Sequence, residues 1–225
     1  MDWLVRVLLV VHLVAGFSSL VFFWLPMFTK KGSRNHVLFG KIYIRLMWLV
    51  VGSAAALSVK NVVIGAYAPA AFLGFLALIT ANPLWFGIAI FKNKKGLSES
   101  FKRTHLLFHI AIVFAALGLI IYGVALQGKG PAILMFIFGG LGLGDVPKII
   151  KQLKGVQLYK SWLTEHIVGM ITSGIAAYTA FFVFGAGEFF KSLLSGYWTI
   201  IPWVAPGILG AIGIRYAVKR YEKKG

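Results

Sequence analysis

Apolar runs of 18 residues or more recur along the whole chain, separated by short polar turns. Each is long enough to cross a bilayer core of about 30 Å as a helix. Within that core only a helix or a closed barrel satisfies the backbone. Little is left over from which a soluble domain could be built, since 59% of the residues are hydrophobic and 13% are charged. The expected fold is therefore all-α: one transmembrane domain over residues 1–225, a bundle of seven membrane-spanning helices. The first run lacks a small-residue cleavage site and is expected to stay as a helix.

The spans are expected at Trp3–Phe28, His36–Val59, within Val62–Phe91, Arg103–Leu126, Pro131–Ile149, Ser161–Phe184 and Leu194–Val218. The third run is too long for one straight crossing, so its start is placed at an interface, with Pro69 near its first turn. Asn82-Pro83 is expected to kink it. Pro131 suits a first helical position. Pro202 and Pro206 are expected to break the seventh span. The fifth is rich in glycine (Gly139, Gly140, Gly142, Gly144), which lets helices approach closely in the bundle core or across a homodimer.

Charge checks the count. Net charge is +17, and all of the 23 Lys and Arg residues except Arg6, Lys60, Lys129 and Lys191 fall on one side of a seven-span chain. The positive-inside rule then puts the N-terminus outside and the C-terminus in the cytoplasm of a plasma membrane protein. Trp3, Trp24, Trp85, Trp162 and Trp198 lie near the expected ends or kinks, as interfacial belts do. The basic excess suits anionic lipid at the cytoplasmic face. With no soluble module, nucleic acid is not an expected partner.

The chain has no cysteine, which excludes disulfides, iron–sulfur clusters and thiolate metal sites. Chemistry must come from five histidines and six acids. His105 and His109, four residues apart, project from one face of a helix. Topology brings His36, His105, His109 and His166 within about two turns of the cytoplasmic face at 1.5 Å per residue. Asp145 falls at a similar depth and Glu165 precedes His166. His12 stands alone in the outer half of the first span.

Ionisable groups at membrane depth are costly and mark functional sites by default. Three imidazoles and a carboxylate (His105, His109, His166, Asp145) fit a divalent metal, zinc or iron, with Glu165 as general base of a metal-dependent enzyme. Plainer roles stand beside this one. Asp145 can pair with Lys148, His36 can face headgroups, and His12 can make a buried hydrogen bond near Gly16 and Ser19. A second chemistry is b-type haem, held by His166 against His105 or His109, with Gly169, Ser173 and Gly174 leaving room for the macrocycle. A third is transport of a small molecule or lipid, suggested by the proline-interrupted helices. No lysine lies at mid-depth in the seventh span, which disfavours a retinal pigment.

His12-x-x-x-Gly16, Lys31-Gly32-x-x-x-His36-x-x-x-Gly40-Lys41-x-Tyr43 and Glu165-His166-x-x-x-Met170, leading to Thr179-Ala180-Phe181, resemble a family of small bacterial integral membrane proteins of unknown function. The resemblance covers the first two spans and the fifth to sixth. It implies that His12, His36 and His166 belong to one motif set. The arrangement is also loosely similar to seven-helix membrane hydrolases that hold zinc with three histidines.

Overall fold

A computed structural model describes residues 2–127, 132–156, 159, 161–187, 189, 193, 194, 198 and 200–222. Among these residues the protein is all-helical. Helices α1 (Asp2–Phe28), α2 (Arg34–Val63), α3 (Tyr67–Ala89), α4 (Glu99–Ala125), α5 (Ala132–Leu143), α6 (Val146–Leu153), α7 (Trp162–Ala180) and α8 (Ile201–Glu222) follow one another along the chain. Seven stretches are long and apolar enough to cross a membrane, with α5 and α6 together forming one of them. The protein is thus a multi-pass membrane protein.

The helices that follow the basic turns start at serines. Ser33 accepts from the His36 backbone N–H, Ser98 from Phe101 and Ser161 from Thr164, each side chain satisfying one orphan donor of a first turn. The Ser98 cap is why α4 begins at Glu99, a turn earlier than the apolar run alone indicates. Pro69 lies in the first turn of α3, as expected, and α3 runs on through Pro83. α8 begins beside Pro202 and runs through Pro206, so Pro202 starts this helix rather than breaking it. Pro131 and several residues between 188 and 199 lie outside the described residues.

The fifth span differs most from expectation. It is two helices, because Pro147 has no N–H and its ring crowds the carbonyl four residues back. That carbonyl belongs to Leu143, where α5 stops. The Gly144 and Asp145 N–H groups then bond Leu141 O and Gly142 O at 3.1 Å before α6 begins. On α6, Val146, Ile149 and Leu153 take one face, and Lys148 and Lys151 another.

The third span is the hub. The apolar part of its stretch is 44% buried, against 17% for the first and 11% for the last, and α3 packs on α2, α4 and α7. One core cluster joins α3, α4 and α5 through Phe75, Ile112, Ala116, Leu119, Met135 and Phe138. Another joins α1, α2 and α3 through Phe23, Tyr43, Met47 and Leu84. At the α3–α7 crossing the backbones touch. A Cβ on Gly169 would stand 2.7 Å from both Gly87 Cα and Pro83 O. A Cβ on Gly139 or Gly142 of α5 would strike the side chains of Ile120 and Ala116 on α4, so these two glycines serve the bundle core.

Candidate functional site

α4 starts at the Ser98 cap and buries the face that carries Phe101, His105, His109, Ile112 and Ala116. Both histidines are buried, His109 to 2% exposure. Their rings meet edge to face with centroids 4.2 Å apart. The break between α5 and α6 then delivers Asp145 to the same place. The His109 Nδ1–H donates to Asp145 Oδ2 at 2.7 Å. Lys148, one turn on, donates to the other carboxylate oxygen at 2.7 Å. Gln152 Nε2 donates to Lys102 O at 2.6 Å and fastens α6 to the start of α4.

Tyr159, in the turn before α7, reaches His105 Nδ1 at 2.6 Å. Its phenol is held above the ordinary tyrosine value, first by burial and then by the charge of Glu165. It keeps its proton and donates it to Nδ1, leaving the His105 proton on Nε2. Phe86 lies 4.6 Å from the His105 ring, and Trp85 and Phe101 stack farther out. Trp85 therefore belongs to this site and not only to an interfacial belt.

The two imidazoles thus carry their protons on opposite nitrogens. His109 is Nδ1–H, fixed by a carboxylate, and its Nε2 is the basic atom. That Nε2 is buried and has no hydrogen-bond partner among the described residues. A buried polar atom without a partner is costly, so one in a native bundle needs a reason. Chemically, Nε2 can accept a proton or bind a metal ion.

The structure gathers His105, His109 and Asp145 and holds His166 elsewhere. On α7, the His166 Nδ1–H donates to Gly87 O at 2.8 Å, and its ring packs 4.5 Å from Phe91. Gly87 O lies near the end of α3, just before the chain tightens into the next turn. His36 does the same for α1: its Nδ1–H donates to Pro26 O at 3.0 Å, beside Lys31, which bonds the Pro26 and Met27 carbonyls. Lys31 is itself held below the ordinary lysine value, first by desolvation and then by Arg220. His12 donates to Ser53 Oγ at 2.9 Å, and Ser53 passes its own proton to Leu49 O. Glu165 lies in the first turn of α7, close enough to act on Tyr159.

Three consequences bear on the expected chemistry. Among the described residues no group of three or more histidines and acids is arranged to hold a metal ion. Both Asp145 oxygens are already engaged, by His109 and Lys148, which leaves it as an orienting group rather than a ligand. The room expected for a haem beside His166 is filled: Gly169 lies on α3, a Cβ on Gly174 would strike the Phe23 ring, and Ser173 bonds Tyr43 at 2.8 Å. Tyr159 and Gln152 are the site residues that sequence reasoning missed. A hydroxyl-bearing aromatic in a basic turn beside a histidine span was the only signal for the first.

Comparison with protein-family models, curated proteins and solved structures finds no match to this chain.

Proposed function

We propose that this multi-pass membrane protein takes up and passes on a proton at the His109–Asp145 pair, as the proton-carrying site of a membrane transporter. The observation that carries the reading is the His109 Nε2, buried and unpartnered, on a ring oriented through Nδ1 by Asp145 at 2.7 Å. Chains of His and acidic residues at membrane depth serve as proton relays in pumps and transporters. Here hydrogen bonds join Lys148, Asp145 and His109, and the His109 ring packs edge to face on His105, which Tyr159 holds.

The coupling follows from charge. One carboxylate serves two cations once Nε2 is protonated. The imidazolium then strengthens its bond to Asp145, and Lys148, whose side chain is 55% exposed, loosens toward water. His109 lies on α4 and Asp145 is the N-cap residue of α6, so proton uptake at His109 changes what holds α6 against α4. Under the positive-inside rule the N-terminus is outside, and this site lies near the cytoplasmic face of the plasma membrane.

A second reading keeps a divalent metal, zinc or iron. An imidazole whose Nδ1–H is fixed by a carboxylate is how metal-bound histidines are oriented, with Nε2 toward the ion. His109 would be the ligand and His105 a second, once its proton moves to Nδ1.

Histidine ¹⁵N NMR of the protein in lipid nanodiscs, from about pH 4 to 9, separates the two. Proton uptake is expected as a titrating His109 that starts as the Nδ1–H tautomer and loses that preference in Asp145→Asn. A His109 that never titrates in the folded protein, or an Asp145→Asn spectrum identical to wild type, overturns the reading. One equivalent of tightly bound metal, lost in His109→Gln, would favour the metal instead.

A further inference from the structure

At the end of α3 the chain makes a short 3₁₀ turn, Ile90–Asn93, before α4. Asn93 is buried and fixes the turn: its Nδ2 donates to Ala89 O at 3.1 Å, and its Oδ1 accepts from the Ser98 N–H at 2.8 Å. The residues around it are presented from this frame. Phe91, Lys92, Lys94, Lys95 and Gly96 line an open surface cleft of about 460 Å³. The Lys94 ammonium stands 4.3 Å above the Trp162 ring and 5.4 Å from Phe91. No acid lines the cleft, and nearby Glu99 is taken up by Lys102 at 2.7 Å.

We propose that this cleft is a discrete binding site for the phosphate of an acidic phospholipid headgroup. A cleft lined by three lysines and of ligand size suits a phosphodiester and its glycerol. Lipid and free phosphate share that chemistry, but the place commits the cleft to lipid. The membrane-spanning stretch ends at Asn93, within the turn that carries the lysines. Phe91, 41% exposed, and Trp162 form an aromatic wall at the depth where acyl chains meet headgroups. The lysines fall on the basic side of the bundle, where anionic lipid concentrates. The site is separate from His109 and does not depend on its role.

Native mass spectrometry of the full chain in detergent tests this, with phosphatidylglycerol, phosphatidylcholine and inorganic phosphate as probes. The wild type is expected to retain one phosphatidylglycerol about tenfold more tightly than phosphatidylcholine. Replacing Lys92, Lys94 and Lys95 together with Gln weakens retention about a hundredfold, at about fivefold per lysine. Replacing Lys151, Lys154 and Lys219 with Gln removes equal charge elsewhere and changes it less than about threefold. Should the first triple variant fail to fold, Lys95→Gln alone, which disturbs no aromatic contact, is expected to cost about fivefold. Equal losses in the two triple variants would reduce the cleft to diffuse attraction and overturn the proposal. So would equal retention of phosphatidylcholine, or displacement of the lipid by inorganic phosphate.

Discussion

His36 and His166 lie at the same end of the bundle as His105 and His109, and the sequence places all four at a similar depth. Their partners separate them. His36 and His166 each give their Nδ1–H to a backbone carbonyl at the end of a neighbouring helix, Pro26 O and Gly87 O. His105 and His109 are held by side chains, Tyr159 and Asp145. A carbonyl at a helix end needs a donor and nothing more, so the first pair answers a structural demand. A carboxylate fixes the tautomer and adds charge that responds to protonation, so the second pair can do chemistry. Membrane depth alone does not make an imidazole functional; its hydrogen-bond partner decides.

Substitutions can break this contrast, and the largest effect is expected at Asp145. Asp145→Ala leaves the buried His109 ring and the Lys148 ammonium without their shared partner, at a cost of about 3 kcal/mol. Unfolding in denaturant of the detergent-solubilised protein should show that loss, with proton uptake at His109 abolished. Next comes the α3–α7 crossing under His166. Gly169→Ala drives a methyl into backbone atoms of α3 and should cost about 2–3 kcal/mol by the same measurement, with no change in His109 titration. A smaller effect is expected for His166→Ala, about 1 kcal/mol from the lost hydrogen bond to Gly87 O. If His109 titration moves in that variant, the separation of the two regions fails.

The smallest effect concerns Tyr159. Burial, reinforced by Glu165, disfavours its phenolate, so the folded state holds that proton above the ordinary tyrosine value of about 10. Its contribution to stability is therefore complete below about pH 10 and falls away as pH rises further. Tyr159→Phe should flatten that part of the stability profile. A difference absorbance showing Tyr159 ionising at the ordinary value would contradict its placement against His105.

The fifth span shows how a local rule can be legible yet overlooked. Pro147 was in plain view, and its clash with the Leu143 carbonyl stops α5 where it does. Length and hydropathy pointed to one helix through to Ile149. The break is what presents Asp145 to His109. The pairing of Asp145 with Lys148 was readable from their spacing of three residues. The Tyr159 contact was not, because it spans 54 residues and depends on the path of a turn.

Seven spans, their approximate limits and the gathering of basic charge at alternate turns were determined by the sequence itself. Bilayer thickness fixes the length of an apolar helix, and water and lipid sort charge without reference to tertiary contacts. The i,i+4 pairing of His105 with His109 was equally local. Which imidazole meets a carboxylate and which caps a helix was decided only by the tertiary structure. A helix carries its side chains all round, and the face it turns to a neighbour depends on close crossings such as Gly87 on Gly169 and on breaks such as the one before α6.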